Sequence, residues 1–302
     1  MKTVVCFGEV LFDVFPEKKI IGGAPLNVAL RLHALGIETV MVSRVGKDAN
    51  GEAVQRHILN QGMSTTFIGT DKDHATGTVE VTLNSKGNAS YKIVENVAWD
   101  HIELNDSIEI TVKNSAALIF GSLVCRNKCS EKSLLKLITL APFTVFDLNL
   151  RPPFYSITTL IKLLKQVDFI KCNDEELMVL AEHYGVSSLS LKEQIKAIIK
   201  KTGASSCCVT LGAEGALLYH QHRFFKQKGF SVIVKDTVGS GDSFLATLIA
   251  GLLSDISPKK ALERATAMGA LVAVSEGGNP TITESALSNF ISRQKNVFPL
   301  KT

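Results

Sequence analysis

With 302 residues, 45% of them hydrophobic, the chain holds enough apolar material for one large α/β domain or two average ones. Its 33 basic and 29 acidic residues leave a formal net charge of +4 and are spread without a block of like sign, which argues against a nucleic-acid arm or a membrane-surface patch. No run of about 18 apolar residues occurs, and Glu9 and Asp13 interrupt the apolar N-terminal stretch, so neither a membrane span nor a signal peptide is expected and a cytoplasmic protein is. Six cysteines are too sparse for a disulfide framework and match no zinc spacing, so reduced thiols are expected and no metal is assigned to them.

In chain order, TVVCFG reads as a strand, followed by a helix near 24–35, the strand ETVMVSRVG and a helix near 49–61. Residues 10–21, VLFDVFPEKKII, and residues 66–97 have β character without helices, and the second stretch predicts a hairpin around a polar turn containing Gly87. The two together predict a small sheet inserted as a lid into a single domain spanning 1–302. Alternation resumes after residue 115 with ALIFG, a helix near 130–140, TVFDLN, a helix near 156–165, DFIKCN, and helices on either side of Gly185. TLGAEGALL reads as strand, turn and strand, and SVIVK as a strand leading into DTVGSGD. This alternation predicts an α/β fold with a mostly parallel sheet, its helices presenting core stripes such as Val28, Leu32 and Leu35, or Leu245, Leu248 and Leu252.

The segment DTVGSGDSFLATLIAGLL places Gly239, Ser240 and Gly241 directly ahead of an apolar-periodic helix. Backbone N–H groups at such a helix start can hold an anion, and Asp242 in the first turn can accept a proton from a hydroxyl beside it. An ordinary glycine-rich helix entry explains the same residues equally well. No Lys follows the glycines, so this is not a Walker A loop, and it is not the GxGxxG fingerprint either.

DTVGSGDSF resembles the second signature of the PfkB family of carbohydrate kinases, and GGAPLNVALRLHALG at 22–36 resembles the first. The resemblance implies a ribokinase-like three-layer α/β/α core with a β-sheet lid, ATP and Mg²⁺ as cofactors, and Asp242 as catalytic base beside an anion hole of Gly239, Ser240 and Gly241. It puts Asp13, Gly22, Gly23 and Asn27 in the sugar pocket. KCNDEELMVL is similar to the family's NxxE motif, which links Asn173 to the nucleotide phosphates and Glu176 to Mg²⁺ through water. TLGAEGALL is similar to the nucleotide-binding TxGxxG stretch, with Thr210, Gly212 and Gly215, while GGNPT makes Asn279 an adenine contact and Asp236 a candidate for a monovalent cation such as K⁺. FDLNLRPPF resembles a stretch of fructokinases and 2-keto-3-deoxygluconate kinases, placing Asp147, Asn149 and Arg151 near the cleft, with Arg151 suited to a carboxylate or phosphate. The lid text is most similar to bacterial fructokinases, which implies D-fructose as acceptor, Tyr91 as a lid residue near the sugar, and a homodimer formed through the lid. The alternatives are a 2-keto-3-deoxygluconate kinase, and a sugar- or nucleotide-sensing protein that keeps the fold without catalysis.

Overall fold

In the computed structural model, which describes residues 2–83 and 89–297, the first strand, β1 (Thr3–Phe7), lies inside a nine-stranded sheet, third from one edge. It is followed by β2 (Leu11–Val14), β3 (Lys19–Gly22), α1 (Ala24–Ala34), β4 (Glu38–Gly46), α2 (Ala49–Asn60), β5 (Ile68–Asp71), β6 (Gly77–Leu83) and β7 (Ala89–Ile93). Next come α3 (Asp106–Lys113), β8 (Ala117–Gly121), α4 (Lys128–Leu140), β9 (Thr144–Asp147), α5 (Ile157–Leu164), β10 (Phe169–Asn173), α6 (Asp174–His183) and α7 (Leu191–Thr202). The chain closes with β11 (Ser206–Thr210), β12 (Ala216–His220), β13 (Arg223–Gln227), α8 (Ser240–Leu253), α9 (Pro258–Ala273) and α10 (Glu284–Val297).

The large sheet has the order β13-β12-β11-β10-β9-β8-β1-β4-β5 and is parallel from β11 through β5, with β12 and β13 added as antiparallel strands at one edge. Its central strands β1, β8, β9, β10 and β11 are buried on both faces, as a parallel sheet covered by helices requires. Side chains alternate between two core layers: Val5, Phe7, Leu118, Phe120, Phe146, Ile170 and Cys207 pack with α3 to α7. Val4, Cys6, Ala117, Ile119, Val145, Phe169 and Cys208 pack with α1, α2, α8 and α9. The expected three-layer core is therefore present, and the predicted helical stripes lie in it, with Val28, Leu32, Leu245 and Leu248 buried.

A second, four-stranded sheet has the order β3-β2-β6-β7, with β2 and β6 parallel and the other pairs antiparallel. It is the predicted lid sheet, but its second part starts at Gly77. Ile68–Asp71 instead extends the large sheet beside β4, with Ile68 and Asp71 buried there. The turn around Gly87 lies outside the described residues. The expected strand SVIVK does not form: Lys235 and Asp236 donate their N–H groups to the Ala273 carbonyl at the end of α9, leaving Ile233 89% exposed. The segment pairs with no strand among the described residues. All six cysteines are free thiols, as expected.

Candidate active site

In chain order the sheet grows from β1 outward through β4 and β5, and then in the opposite direction through β8, β9, β10 and β11. The reversal lies between β1 and β8, and in open α/β sheets a crevice at such a point, outside the strands' C-terminal ends, is where ligands bind. The C-terminal ends of these strands lead to Glu9, Ser122, Asn149 with Arg151, Asn173 and Thr210. The lid strand β2 carries Asp13 to the same region, where its carboxylate feels both Arg151 and Asp236.

The glycine-rich turn enters α8 from this side. Gly239 is its N-cap with φ 73°, and a Cβ there would lie 2.0 Å from the Gly278 carbonyl oxygen, so only glycine fits both the left-handed backbone and the packing. The N–H groups of Gly239, Gly241 and Asp242 meet no acceptor among the described residues and stand together at the N-terminal end of α8, an arrangement that can take an anion. Ser240 contributes differently: its N–H donates to the Thr237 carbonyl at 3.2 Å and its hydroxyl to the Gly269 carbonyl at 3.0 Å, so it fastens the turn to α9.

Asp242 accepts a hydrogen bond of 2.8 Å from the amide of Asn27 on α1. Part of its surface stays open, yet it lies deep enough that burial pushes its carboxyl above the usual Asp range, opposed by the Asn27 hydrogen bond, Lys171 and Arg151. The Asn279 amide donates to the Asn27 backbone carbonyl at 3.1 Å and so braces the residue that orients Asp242. Arg31, one turn along α1 and fully buried, bonds the Ser243 hydroxyl and the Pro280 carbonyl and locks the same three segments together.

Beside this turn, Asn173 caps α6 in a reciprocal box: its Oδ1 accepts from the Glu176 N–H at 2.7 Å, and Glu176 Oε2 accepts from the Asn173 N–H at 2.9 Å. Glu176 Oε1 accepts from the Leu150 N–H at 2.8 Å, tying α6 to the loop that carries Arg151. Thr210 sits across from Asn173 in register, and the turn after it is held by Gly215, where a Cβ would come 2.1 Å from the Gln227 carbonyl oxygen. Gly212, at φ 52°, faces open space.

Next to the lid sheet, Gly22 lies against Asp13, where a Cβ would stand 3.0 Å from Asp13 Oδ2. Gly23 caps α1 at φ 113° against the Glu9 carbonyl. Arg151 is exposed, donates to the Leu150 carbonyl, and has no ion pair among the described residues, while Glu9, Asp13 and Asp242 all feel its charge. Tyr91 is 59% exposed on β7. A cavity of about 410 Å³ lined by Ser122, Arg126, Phe154 and Tyr155 opens beyond β8 and β9; its lining includes none of Asp13, Asn27 or Asp242, so it is a neighbour of the cleft.

Two buried charged groups of the site escaped the sequence reading. Lys171 on β10 places its ammonium 2.9 and 3.0 Å from the two oxygens of Asp147 on β9. Glu9 is 2% exposed with Oε2 unbonded, and burial pushes it up to about 7 while Arg151 pulls it down and Asp242 raises it. Both are lone charges inside apolar runs, FIKC and FGEVLF, and that was the available signal.

A family model described as pfkB family carbohydrate kinase matches residues 1–285. The chain belongs to that family. It is a sugar kinase whose resemblance to fructokinases extends over its length: it is 27% identical to a fructokinase of Escherichia coli, covering 89% of this chain and 92% of that protein. It is also 25% identical to fructokinase-1 of Zea mays, covering 97% and 98%. The crystal structure of fructokinase from Vibrio cholerae O395 in fructose-, ADP- and calcium-bound form superposes with a TM-score of 0.82 at 25% identity, over 96% of this chain and 99% of that one. The fold also matches a fructokinase of Xylella fastidiosa with bound ATP, at TM-score 0.83 and 22% identity, over 97% and 99%.

Proposed function

We propose that this sugar kinase transfers the γ-phosphoryl group of ATP to the primary hydroxyl of D-fructose, giving fructose 6-phosphate. The observation that carries the transfer is Asp242 in the first turn of α8, held by Asn27 beside the unbonded N–H groups of Gly239, Gly241 and Asp242. In this reading Asp242 accepts the hydroxyl proton while those amides stabilise the charge that spreads over the transferring group. Asp13, Gly22, Gly23 and Asn27 hold the sugar under the lid with Tyr91, and Asn173, Thr210, Gly212 and Gly215 line the nucleotide side. Fructose is supported by the similarity to fructokinases, one of them with fructose and ADP bound.

The residues also fit a hydrated magnesium ion. Each Glu176 oxygen accepts a single backbone N–H and keeps lone pairs for water, and no group of three or more His, Cys, Asp or Glu that could cage an ion occurs among the described residues. Bound with the nucleotide, Mg²⁺ would neutralise phosphate charge. Asp236, which accepts from the Val238 and Gly277 N–H groups, is the anchor proposed for a monovalent cation such as K⁺. Homodimerisation through the lid is proposed from the edge position of β7 and the exposed Tyr91 on it. A cytoplasmic location completes the proposal; no helix among the described residues is long and apolar enough to cross a membrane.

One observation favours a second acceptor: Arg151 is exposed and without an ion pair among the described residues, so it could clamp the carboxylate of 2-keto-3-deoxygluconate. A coupled ADP-release assay over a sugar panel decides. Preference for fructose is the expected result, preference for the keto-acid transfers the reading to that substrate, and ATP binding with no sugar-stimulated ADP release marks a sensing protein instead.

A further inference from the structure

The adjacent strands β9 and β10 each carry one charged residue, on the sheet face that packs with α1 and α8. Along β9, Val145 packs on the α1/α8 layer and Phe146 on the opposite layer; along β10, Phe169 and Ile170 do the same. The period of two therefore turns the next residues, Asp147 and Lys171, toward α8, and the register sets them opposite one another. They are 4% and 6% exposed.

The position of the ammonium is what calls for an explanation. A Cβ on Gly241 would lie 3.3 Å from Lys171 Nζ, so the cation sits against the first turn of α8, at the helix end that already carries partial positive charge. For stability alone this is the wrong place for a lysine, and burying an ion pair rarely repays its desolvation. The arrangement becomes favourable when an anion lies across the turn. Burial would pull Lys171 down, but Asp147, then Glu176 and Asp242, outweigh it and the group is held above the usual Lys range, while burial raises Asp147 only to about 6. At neutral pH both are charged.

We propose that Lys171, anchored by Asp147, is a positioning residue of phosphoryl transfer: it sets a fixed positive charge behind the amide cradle and beside the Asp242 carboxylate, without touching the sugar. This rests on the sugar-kinase reading of the same site. Asp242 is faced by Asn27 from α1, Lys171 from β10, Arg151 from the loop after β9, and the carboxylates of Glu9 and Asp147. Lys171 is the buried cation of that set.

The test compares full-length Lys171→Met, Lys171→Arg and the double variant Lys171→Met with Asp147→Asn, which leaves no unpaired buried charge. Folding is followed by circular dichroism and thermal melting, and kcat and sugar KM are read with MgATP against pH. The expected result is a kcat lower by about 10²-fold in Lys171→Met and in the double variant. Sugar KM stays within about twofold, the acid limb of the kcat profile moves to higher pH, and Lys171→Arg recovers part of the loss. A folded double variant with kcat within about threefold of the parent and an unmoved acid limb overturns the proposal. So does failure of both Met variants to fold, because the pair would then be structural. In either case an inactive Asp242→Asn protein leaves the kinase reading standing, whereas an active one removes that reading itself.

Discussion

The two sides of the cleft, proposed to hold the phosphates and the sugar, are built differently. On the phosphate side the side chains are tied down before any ligand arrives, and the N–H groups of Gly239, Gly241 and Asp242 stay open among the described residues. Asn27 holds Asp242 and is itself held by Asn279, Glu176 uses both oxygens on backbone N–H groups, and Gly239 is wedged against Gly278. On the sugar side, the Asp13 carboxylate makes no hydrogen bond among the described residues, the Arg151 guanidinium reaches only a neighbouring carbonyl, and Tyr91 stands mostly in solvent. Dipoles that must stabilise a transition state act best when they need no reorganisation, so the first side is built for one chemistry. Groups left unbonded are available to be satisfied by an acceptor, so the second side is where substrates are told apart.

The sharpest way to break this division is at Asp242. Asp242→Asn keeps the Asn27 contact within reach but cannot take a proton, and kcat is expected to fall by about 10² to 10⁴ with sugar KM little changed. Near-parent turnover in a folded variant would falsify the assignment. Because burial raises the Asp242 carboxyl, the parent enzyme should lose kcat/KM as pH falls through a value above the ordinary Asp range, the base being protonated below it. An acid limb at or below that ordinary range would mean that another group titrates.

Next in size is Gly239→Ala. A Cβ at φ 73° meets the Gly278 carbonyl, so the 277–279 segment must move and take the Asn279 to Asn27 bond with it. About 1–2 kcal/mol of backbone strain comes in addition, and a tenfold or larger loss of kcat is expected. Gly185→Ala is the control: it has the same left-handed backbone, φ 68°, but nothing within 4 Å, so it should carry the strain without the loss of turnover. Equal kinetic effects at the two positions would show that the wedge against Gly278 does not matter.

The reach of sequence reasoning follows the same line. The parallel sheet and the glycine turn are legible because their signals are local: alternating strands and helices, and glycines next to a helix start. What stayed hidden depends on residues far apart in the chain. The partner of Lys171 is fixed by strand register, Asn279 meets Asn27 across 252 positions, and Ser240 turns to a carbonyl of α9. SVIVK has the composition of a strand but its end is held by the Ala273 carbonyl of α9, and Ile68–Asp71 joined the large sheet beside β4. Glu9 and Lys171 were visible as lone charges in apolar runs, yet only their neighbours give them a meaning.

The effect on turnover is expected to be smallest, and the effect on sugar binding most specific, at Asp13. Its carboxyl is raised by burial against the pull of Arg151, and it has no donor of its own to satisfy it. A sugar hydroxyl pair bonded to a charged group contributes about 1.5–3 kcal/mol per bond, so Asp13→Asn should raise sugar KM by roughly ten- to a hundredfold. The KM for ATP should stay within about twofold and kcat should fall less than in Asp242→Asn, since the nucleotide groups lie across the cleft. The measurement is a pair of saturation curves, one in each substrate. If Asp13→Asn instead depressed kcat as Asp242→Asn does and left sugar KM untouched, the lid carboxylate would belong to the transfer machinery, and the separation of a fixed phosphate side from an adaptable sugar side would have to be abandoned.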